Sequence, residues 1–414
     1  MNRKLRVGVI GGGIGGAALI ASLRQRGMEA HLFERTAAFR EVGAGVQMSP
    51  NAVKILYALG LRDTLDRLGY VPEAVIGRHW RTGRENFRTP QAGACRRMFG
   101  TDCYHLHRAD LLAMLVNLIN PRQVTMNAHC ISVTNHGQTA VARFSDHEDF
   151  EADVIVGADG VHSVVRDSLF GAEAPLFTGN ICWRAVIPAA LHPEFISPVT
   201  AVWQGPNGHV VTYAISGGNA QNIVAVSETP HWMAESWHVP STREEMLQAF
   251  AGWHPDVLRE LSAAESVFKW GLFDRDPMEQ WSKGHITLLG DAAHPMLPFL
   301  AQGAAMALED GYILASLLAV PGIDATEALH QYEAERMPRT SRVQLSARAR
   351  GKRFHLTSPW QQFKRDFSYK LKTILSPHAA GQEAHWVFSY DATAFRPAGR
   401  RVASSVSAPE PVNG

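Results

Sequence analysis

The chain has 414 residues, of which 46% are hydrophobic and 19% are charged, and its formal net charge is +1 at pH 7. This composition is that of a globular protein with material for two or three domains, and it carries no charge excess suited to nucleic acid or an anionic membrane. Four cysteines without a CxxC pair, and no apolar stretch long enough to span a bilayer, predict a cytoplasmic protein without a disulfide framework, a metal site or stable membrane association.

The N-terminal pattern predicts a βαβ unit. Leu5 to Ile10 reads as a short buried strand, Gly13 to Arg26 as a helix rich in small residues, and Ala30 to Phe33 as a second strand. Basic residues followed by apolar ones also resemble a signal peptide, but the glycines that interrupt the apolar run favour a strand and a turn.

Short helices are predicted next, at Asn51 to Leu59, Arg62 to Leu68 and Arg108 to Ile119, before a buried strand at Val154 to Val156. Between roughly residues 175 and 285 the pattern changes to period-two alternation with Gly-rich turns, which predicts an antiparallel sheet. The strands of this sheet are predicted at Val199 to Trp203, His209 to Ile215 and Asn222 to Val226.

Helical periodicity returns in the last third of the chain. It covers Thr242 to Phe250 and resumes at Gly303. A long helix is predicted over Ala325 to Gly351 with an interruption near Pro338, because proline removes a helical hydrogen bond. A further amphipathic helix is predicted from Trp360 to Ile374.

A Gly-x-Gly-x-x-Gly motif joins the first strand to the first helix. Its glycines permit a tight turn, a close approach of the backbone to a pyrophosphate, and close packing of helix on strand. The helix N-terminus presents N–H groups to phosphates, and an acid at the end of the second strand can bind an adenosine ribose. Dinucleotide binding is therefore favoured over a Gly-rich turn in an unrelated fold. The candidate residues are Gly11, Gly13, Ile14, Gly15, Gly16, Glu34 and Arg35.

A second strand-end motif lies far along the chain. An apolar strand ends at Gly290-Asp291, continues through a Pro-rich loop and enters a small-residue helix at Gly303. Two such motifs, about 280 residues apart in one chain, indicate a long cofactor held at both ends, which points to FAD.

The order of the motifs resembles that of the single-component flavin-dependent aromatic hydroxylases, which have the para-hydroxybenzoate hydroxylase fold. The resemblance covers about residues 5 to 345 and rests on three segments: Gly11 to Gly16 with Glu34, Gly157-Ala158-Asp159-Gly160 with Arg166, and Gly290-Asp291-Ala292-Ala293-His294-Pro295. It implies that Asp291 holds the ribitol of FAD, that Asp159 lies near FAD and the pyridine nucleotide, and that Arg108 reaches the FAD phosphate and ribose.

The resemblance also implies which residues contact the flavin ring. Gly43 to Gln47 resembles the stretch along the isoalloxazine, and Gly303 and Ala304 resemble the backbone at its pyrimidine edge. Within the first stretch, Ala44, Gly45 and Val46 are the candidate cofactor contacts, and Gln47 is a candidate for the substrate pocket.

The substrate side is predicted on one strand. His209 and Tyr213 are four residues apart, so on a strand they share a face with Val211 between them. By residue type alone, a packed histidine and an ordinary strand tyrosine explain the pair. The Gly-Pro-x-x-His-x-x-x-Tyr pattern, however, is similar to that of 3-hydroxybenzoate 6-hydroxylases and, in its His/Tyr pair, to that of 6-hydroxynicotinate 3-monooxygenases. This favours His209 as the group that deprotonates a phenol and Tyr213 as its anchor.

The loop after Asp291 and the C-terminal segment add to the substrate side. Pro298 falls where the family places a residue beside the hydroxylation site. The segment from Trp360 to Asp391 resembles the salicylate and 3-hydroxybenzoate hydroxylases.

The resemblance implies an FAD-dependent monooxygenase that hydroxylates a hydroxylated aromatic or N-heteroaromatic carboxylate through a flavin C4a-hydroperoxide. NADH or NADPH and O2 would be its co-substrates, and the chain would act as a monomer or homodimer. Two alternatives stay open: a decarboxylative hydroxylase of the salicylate or 6-hydroxynicotinate type, and a flavin redox protein or halogenase-like enzyme. Ala185 stands where halogenases of this fold carry a second tryptophan, which argues against the last.

The predicted fold class is α/β, with a Rossmann-like FAD-binding βαβ domain, an inserted antiparallel-sheet substrate domain and C-terminal helices. The FAD-binding domain is assigned to residues 1–175 and 285–345, with substrate-domain segments interleaved near 70–105. The substrate domain is assigned to 176–284, a helical region to 346–401 and a disordered tail to 402–414.

Overall fold

The computed structural model describes residues 4–39, 44–229, 239–375 and 382–397. The tail assigned to 402–414, and Gly43 of the flavin stretch, lie outside these residues. The strands are β1 (Val7–Ile10), β2 (Ala30–Glu34), β3 (Gly45–Met48), β4 (Ala74–His79), β5 (Glu85–Pro90), β6 (Tyr104–His107), β7 (Val124–Met126), β8 (Cys130–His136), β9 (Thr139–Phe144), β10 (Phe150–Ala152), β11 (Val154–Gly157), β12 (Leu176–Pro188), β13 (Val199–Gly205), β14 (Gly208–Ile215), β15 (Ala220–Glu228), β16 (Val239–Ser241), β17 (Val267–Asp274) and β18 (Ile286–Leu288).

The α-helices alternate with the strands and then take over the C-terminal part. They are α1 (Ile14–Gln25), α2 (Pro50–Ala58), α3 (Arg62–Leu68), α4 (Ala94–Phe99), α5 (Arg108–Val116), α6 (Val164–Phe170), α7 (Arg243–Ala249), α8 (Pro255–Ser262), α9 (Gly303–Leu318), α10 (Ala325–Phe354), α11 (Pro359–Leu375) and α12 (Gln382–Phe388). None of the helices in the described ranges is both long and apolar enough to cross a membrane.

A five-stranded parallel sheet forms one half of the molecule. Its order is β18-β11-β1-β2-β7, so β1 lies centrally and all four of its residues are buried. Parallel strands end at the same edge, which brings the carboxyl ends of β1, β11 and β18 together although they lie far apart in sequence. The predicted α/β fold class is confirmed.

An eight-stranded sheet forms the second half, in the order β16-β17-β12-β15-β14-β13-β4-β5. The predicted antiparallel sheet is confirmed for the inserted segment, because all strand pairs among β12 to β17 are antiparallel. The strand β4, from outside this segment, joins the sheet in parallel, next to β13. The strands β4 and β5 come from the first third of the chain, and a strand that returns from another part of the chain is free to pair in either direction.

The residue boundaries of the domains stay a prediction.

The predicted break at Pro338 was wrong, because α10 runs through this residue without interruption. Pro338 and Ala334, the residue one turn earlier, are both exposed. The carbonyl that proline leaves without an N–H partner therefore faces water, which offsets the lost hydrogen bond.

A buried ionic cluster joins α10, α9 and the loop after β18. Arg336 donates from Nε to Asp310 Oδ1 (2.8 Å), and its guanidinium lies 2.6 Å from Glu309 Oε2. All three side chains are fully buried. Asp310 Oδ2 also accepts from the Gly290 backbone N–H and contacts His294 Nε2 at 2.6 Å. The helix pair therefore fixes the start of the loop that carries Asp291.

We expect Arg336→Met to lower the free energy of unfolding by about 3–5 kcal/mol, because the buried Asp310 would lose its guanidinium partner and Glu309 would keep only Arg339. Chemical denaturation of the protein at neutral pH measures this. Arg342→Met on the same helix is the control, since Arg342 is exposed and its replacement should cost less than about 1 kcal/mol. Equal losses in the two variants would contradict the role of the cluster.

Candidate active site

One cavity of about 1090 Å³ runs from the N-terminus of α1 to the inner face of the eight-stranded sheet. It exceeds the range of roughly 300–1,000 Å³ that is usual for a small-molecule site, which leaves room for a long cofactor and a small ring. The predicted site residues that line it are Gly13, Ile14, Gly15, Arg35, Ala44, Gly45, Val46, Gln47, Arg108, Asp159, His209, Val211, Tyr213, Asp291, Pro298, Gly303 and Ala304.

The other three predicted residues, Gly11, Gly16 and Glu34, do not line the cavity. A Cβ on Gly11 would lie 2.4 Å from the carbonyl oxygen of Ala158, and one on Gly16 would lie 2.0 Å from that of Gly11. Neither position therefore tolerates a side chain. Glu34 accepts a hydrogen bond from the Gly12 N–H at 2.7 Å. In this structure its carboxylate holds the glycine turn.

The residues at the N-terminus of α1 fit a dinucleotide. No side chain caps this helix end, and a Cβ on its N-cap residue Gly13 would meet no atom within 4 Å. The first-turn N–H groups lack helical partners and therefore favour a bound phosphate. Asp291 is exposed, and its Oδ1 lies 4.0 Å from where a Cβ added to Gly303 would be. Its carboxylate is accessible to a hydroxylated chain.

Arg108 and Asp159 lie along the same wall and also stabilise local structure. Arg108 is the first residue of α5, whose first turn is capped by the His107 side chain. Asp159 accepts from Ser163 Oγ at 2.5 Å and from the Val165 N–H at 3.2 Å, so it helps cap α6. Burial raises the pKa of Asp159 above its ordinary value, although the Ser163 hydrogen bond opposes this.

The strand β3 connects the nucleotide side to the eight-stranded sheet. The Gly45 N–H donates to Asn222 Oδ1 at 2.6 Å, and its carbonyl accepts from Arg184 at 3.5 Å. A Cβ on Gly45 would lie 2.6 Å from Asn222 Cγ and 2.8 Å from the Tyr213 hydroxyl. Glycine is therefore the residue that lets β3 approach the tyrosine.

His209, Val211 and Tyr213 point into the cavity from alternate positions of β14. Burial raises the pKa of Tyr213 to about 12, with Arg184 opposing the shift. Burial, and then the neighbouring His355, lower the pKa of His209 well below its ordinary value. At neutral pH the tyrosine is therefore a hydrogen-bond donor, and the histidine is uncharged with a ring nitrogen able to accept a proton.

The loop from Pro295 to Ala301 forms the wall between the two halves. Pro298 begins a short 3-10 turn, and its carbonyl accepts from the Ala301 N–H at 3.0 Å. Ala301 has φ +53°, which is uncommon for a residue with a Cβ. His294 is buried against Asp310 and Trp281 and does not line the cavity.

Sequence reasoning missed four residues that complete the site: Arg184, Asn222, Glu228 and His355. Arg184 had a signal, since it is a cation within the otherwise apolar run Ile181 to Ile187. The other three had none, because their partners lie more than a hundred residues away in the chain. The described residues contain no cluster of three or more His, Cys, Asp or Glu that could hold a metal ion.

The parallel sheet with its glycine turn, beside a large cavity, is typical of a dinucleotide-binding oxidoreductase. A family model described as "FAD binding domain" matches residues 4–347. The chain therefore belongs to this family. Together with the relatives described next, this shows that it is an FAD-dependent aromatic monooxygenase, as predicted.

Named relatives cover nearly the whole chain. A 3-amino-4-hydroxybenzoate 2-monooxygenase of Streptomyces platensis is 40% identical over 94% of this chain and 96% of its own length. A 6-hydroxynicotinate 3-monooxygenase of Pseudomonas fluorescens is 37% identical over 83% of this chain and 90% of its own. The structure of a salicylate hydroxylase substrate complex has 30% identity and a TM-score of 0.79 over 94% of this chain and 97% of its own.

We expect Asp291→Ala to weaken FAD binding by about tenfold or more, because a hydrogen bond to a charged group contributes about 1.5–3 kcal/mol. Titration of the apoprotein with FAD, followed by flavin fluorescence, measures the dissociation constant. The matched control is Asp149→Ala, which removes an exposed carboxylate on the β9–β10 hairpin. Unchanged affinity in Asp291→Ala would contradict the predicted ribitol contact.

Two glycine-to-alanine substitutions should separate cofactor binding from folding. Gly13→Ala has space for its methyl group, so the apoprotein should keep its melting temperature while FAD affinity falls. Gly45→Ala clashes with Asn222 and Tyr213, so the apoprotein itself should melt several degrees lower, as expected for a loss of about 1–3 kcal/mol. Differential scanning calorimetry and FAD titration check both. The same behaviour in both variants would contradict this assignment.

Proposed function

We propose that this enzyme hydroxylates a small aromatic or N-heteroaromatic carboxylate that already carries a ring hydroxyl, with NADH or NADPH as reductant. The observation that carries the proposal is that the His209–Tyr213 face of β14 lines the same continuous cavity as the nucleotide fingerprint and β3. The relatives named above act on hydroxylated aromatic or heteroaromatic acids, according to their names. This supports the substrate class.

His209 is the proposed proton acceptor for the substrate hydroxyl. Its ring is 2% exposed and lies edge-on to Phe299 and Phe354, each at a centroid distance of 5.2 Å. This packing fixes the ring orientation, and the lowered pKa keeps the ring uncharged before substrate binds. A phenolate is more electron-rich than a phenol, so removal of this proton activates the ring for attack by an electrophilic oxygen.

Tyr213 is the proposed anchor for an oxygen atom of the substrate. Its raised pKa keeps the hydroxyl protonated throughout the physiological range. A neutral donor in a buried site forms a strong hydrogen bond with an anionic oxygen. The ring is held by His105, at a centroid distance of 4.7 Å, and by Gly45. The hydroxyl is therefore positioned before substrate enters.

Arg184 supplies positive charge for the substrate carboxylate. It lies on the cavity wall over the ring of Trp270, at 5.1 Å from the ring centroid. Its Nε is buried without a hydrogen-bond partner in the described structure. A half-buried guanidinium on the wall of a cavity is a favourable partner for a carboxylate.

FAD, when bound, supplies the electron transfer and oxygen activation, and the chain binds, orients and encloses the reactants. Gly13 would lie against the pyrophosphate, Asp291 would hold the ribitol, and β3 would lie along the flavin ring. The aromatic and aliphatic loop residues Leu297 and Phe299 exclude water from the side of the cavity that His209 occupies.

Addition of the right aromatic acid should stimulate NADH or NADPH oxidation by the FAD-loaded enzyme. The panel should include 3-amino-4-hydroxybenzoate, 6-hydroxynicotinate, 3-hydroxybenzoate and salicylate, with product masses measured. Gain of one oxygen atom supports hydroxylation, and replacement of the carboxyl group by hydroxyl supports the decarboxylative alternative. Stimulated oxidation without an oxygenated product from any acid would contradict both.

In the same assay, Tyr213→Phe should raise KM about tenfold to a hundredfold, because one hydrogen bond to a charged oxygen is lost. Tyr312→Phe is the matched control. Tyr312 lies on α9, and its ring contacts Arg26 away from the cavity. An unchanged KM and unchanged coupling in Tyr213→Phe would contradict the anchoring role.

A further inference from the structure

Three titratable side chains connect the cavity to solvent in series. His209 Nδ1 lies 2.7 Å from His355 Nε2, and His355 Nδ1 lies 3.1 Å from Glu228 Oε1. Both histidines are buried, with His209 2% and His355 5% exposed as whole residues, whereas the Glu228 side chain is 46% exposed. The series of three side chains therefore begins at the proposed substrate face and ends in water.

The series crosses the wall between two cavities. His209 lines the main cavity, whereas His355 and Glu228 line a second one of about 700 Å³ on the far side of Leu297 and Phe299. The aromatic rings packed around His209 leave the His355 contact as its polar connection within the described structure. A proton accepted by His209 thus has a defined route outwards.

The carboxylate at the outer end fixes the tautomers of both rings. Ionised Glu228 can only accept, so His355 carries its proton on Nδ1 and presents the lone pair of Nε2 to His209. His209 must then carry its own proton on Nδ1. Its Nε2 is left as a lone pair for the main cavity, which is the form required of a general base.

The turn between β13 and β14 holds the outer members in place. Asn207, at φ +57°, accepts from the Glu228 N–H through its carbonyl (2.7 Å) and donates its own N–H to the His355 carbonyl (3.3 Å). One residue therefore clamps β15 and the end of α10 together. Chain segments that are distant in sequence meet here with hydrogen-bonding geometry.

We propose that His209, His355 and Glu228 form a proton-transfer chain between the buried substrate and solvent. The inference rests on the proposed function, because it assumes a substrate hydroxyl beside His209. The hydroxyl proton moves to His209 Nε2, the Nδ1 proton of His209 moves to His355 Nε2, and the Nδ1 proton of His355 moves to Glu228 and then to water. Reversal of the same transfers returns a proton to the product and restores both tautomers.

The first test reads the tautomers directly in the FAD-loaded enzyme without any aromatic ligand. Nitrogen NMR of histidine-labelled protein should show His209 protonated on Nδ1 and not on Nε2, assigned with His209→Gln. Protonation on Nε2 would overturn the chain whatever the substrate is.

The second test measures proton movement with a coloured probe, 4-hydroxy-3-nitrobenzoate, bound to the oxidised FAD enzyme. After a rapid upward pH jump, phenolate absorbance should appear on the order of 10²-fold more slowly in His355→Gln, because glutamine keeps a hydrogen bond but cannot relay a proton. Glu228→Gln should also slow it. Lys352→Ala, in the second cavity but outside the series, should match the unmodified enzyme.

Unchanged ionisation rates in His355→Gln and Glu228→Gln would overturn the proposal. If His355→Gln does not fold, the ionisation rate in Glu228→Gln tests the proposal, because Glu228 is half-exposed. If the probe does not bind, the nitrogen NMR spectrum of the histidine tautomers tests it. Failure of the proposed function is distinguishable, because it appears as no oxygenated product from the unmodified enzyme. If the unmodified enzyme hydroxylates its substrate but both variants ionise the probe as fast as the unmodified enzyme does, only the proton-transfer chain is contradicted.

Discussion

The site depends on the buried charges of Arg336, Glu309 and Asp310. Charges without water are tolerated only when each has a partner, so the relative positions of α9 and α10 are tightly constrained. Asp310 extends the constraint to the Gly290 backbone and to His294. Burial by itself would raise the pKa of Asp310, but His294 and Arg336 together lower it below its ordinary value. The carboxylate therefore stays charged, and the loop from Asp291 to Pro298 keeps its path.

From this fixed loop the two halves of the molecule close on one cavity. Asn222 and Arg184 reach from the eight-stranded sheet to both backbone groups of Gly45. The strand expected to lie along the flavin is thus positioned by the sheet that carries His209 and Tyr213. The strand proposed to lie along the cofactor and the sheet proposed to hold the substrate are therefore joined by hydrogen bonds, which fits a reaction in which an oxygen atom passes between the two.

Local signals in the sequence were sufficient where a feature depends on neighbours in the chain. The turn at Gly11 to Gly16 and the shared face of His209 and Tyr213 follow from spacing alone, since strand and helix periods fix which side chains align. The same reasoning failed at Pro338, where exposure of the freed carbonyl decided the outcome. It also missed the parallel pairing of β4 with β13, because pairing direction between distant strands leaves no local pattern.

The sequence by itself determined the fold class and the cofactor, because the motifs that indicate them are each built from residues a few positions apart. The tertiary structure decided which side chains complete the site. Gly45 meets Tyr213 and Asn222, and His355 meets His209, across more than a hundred residues of chain. Such contacts depend on how two sheets and a long helix pack together, and packing is set by the whole core rather than by any one segment.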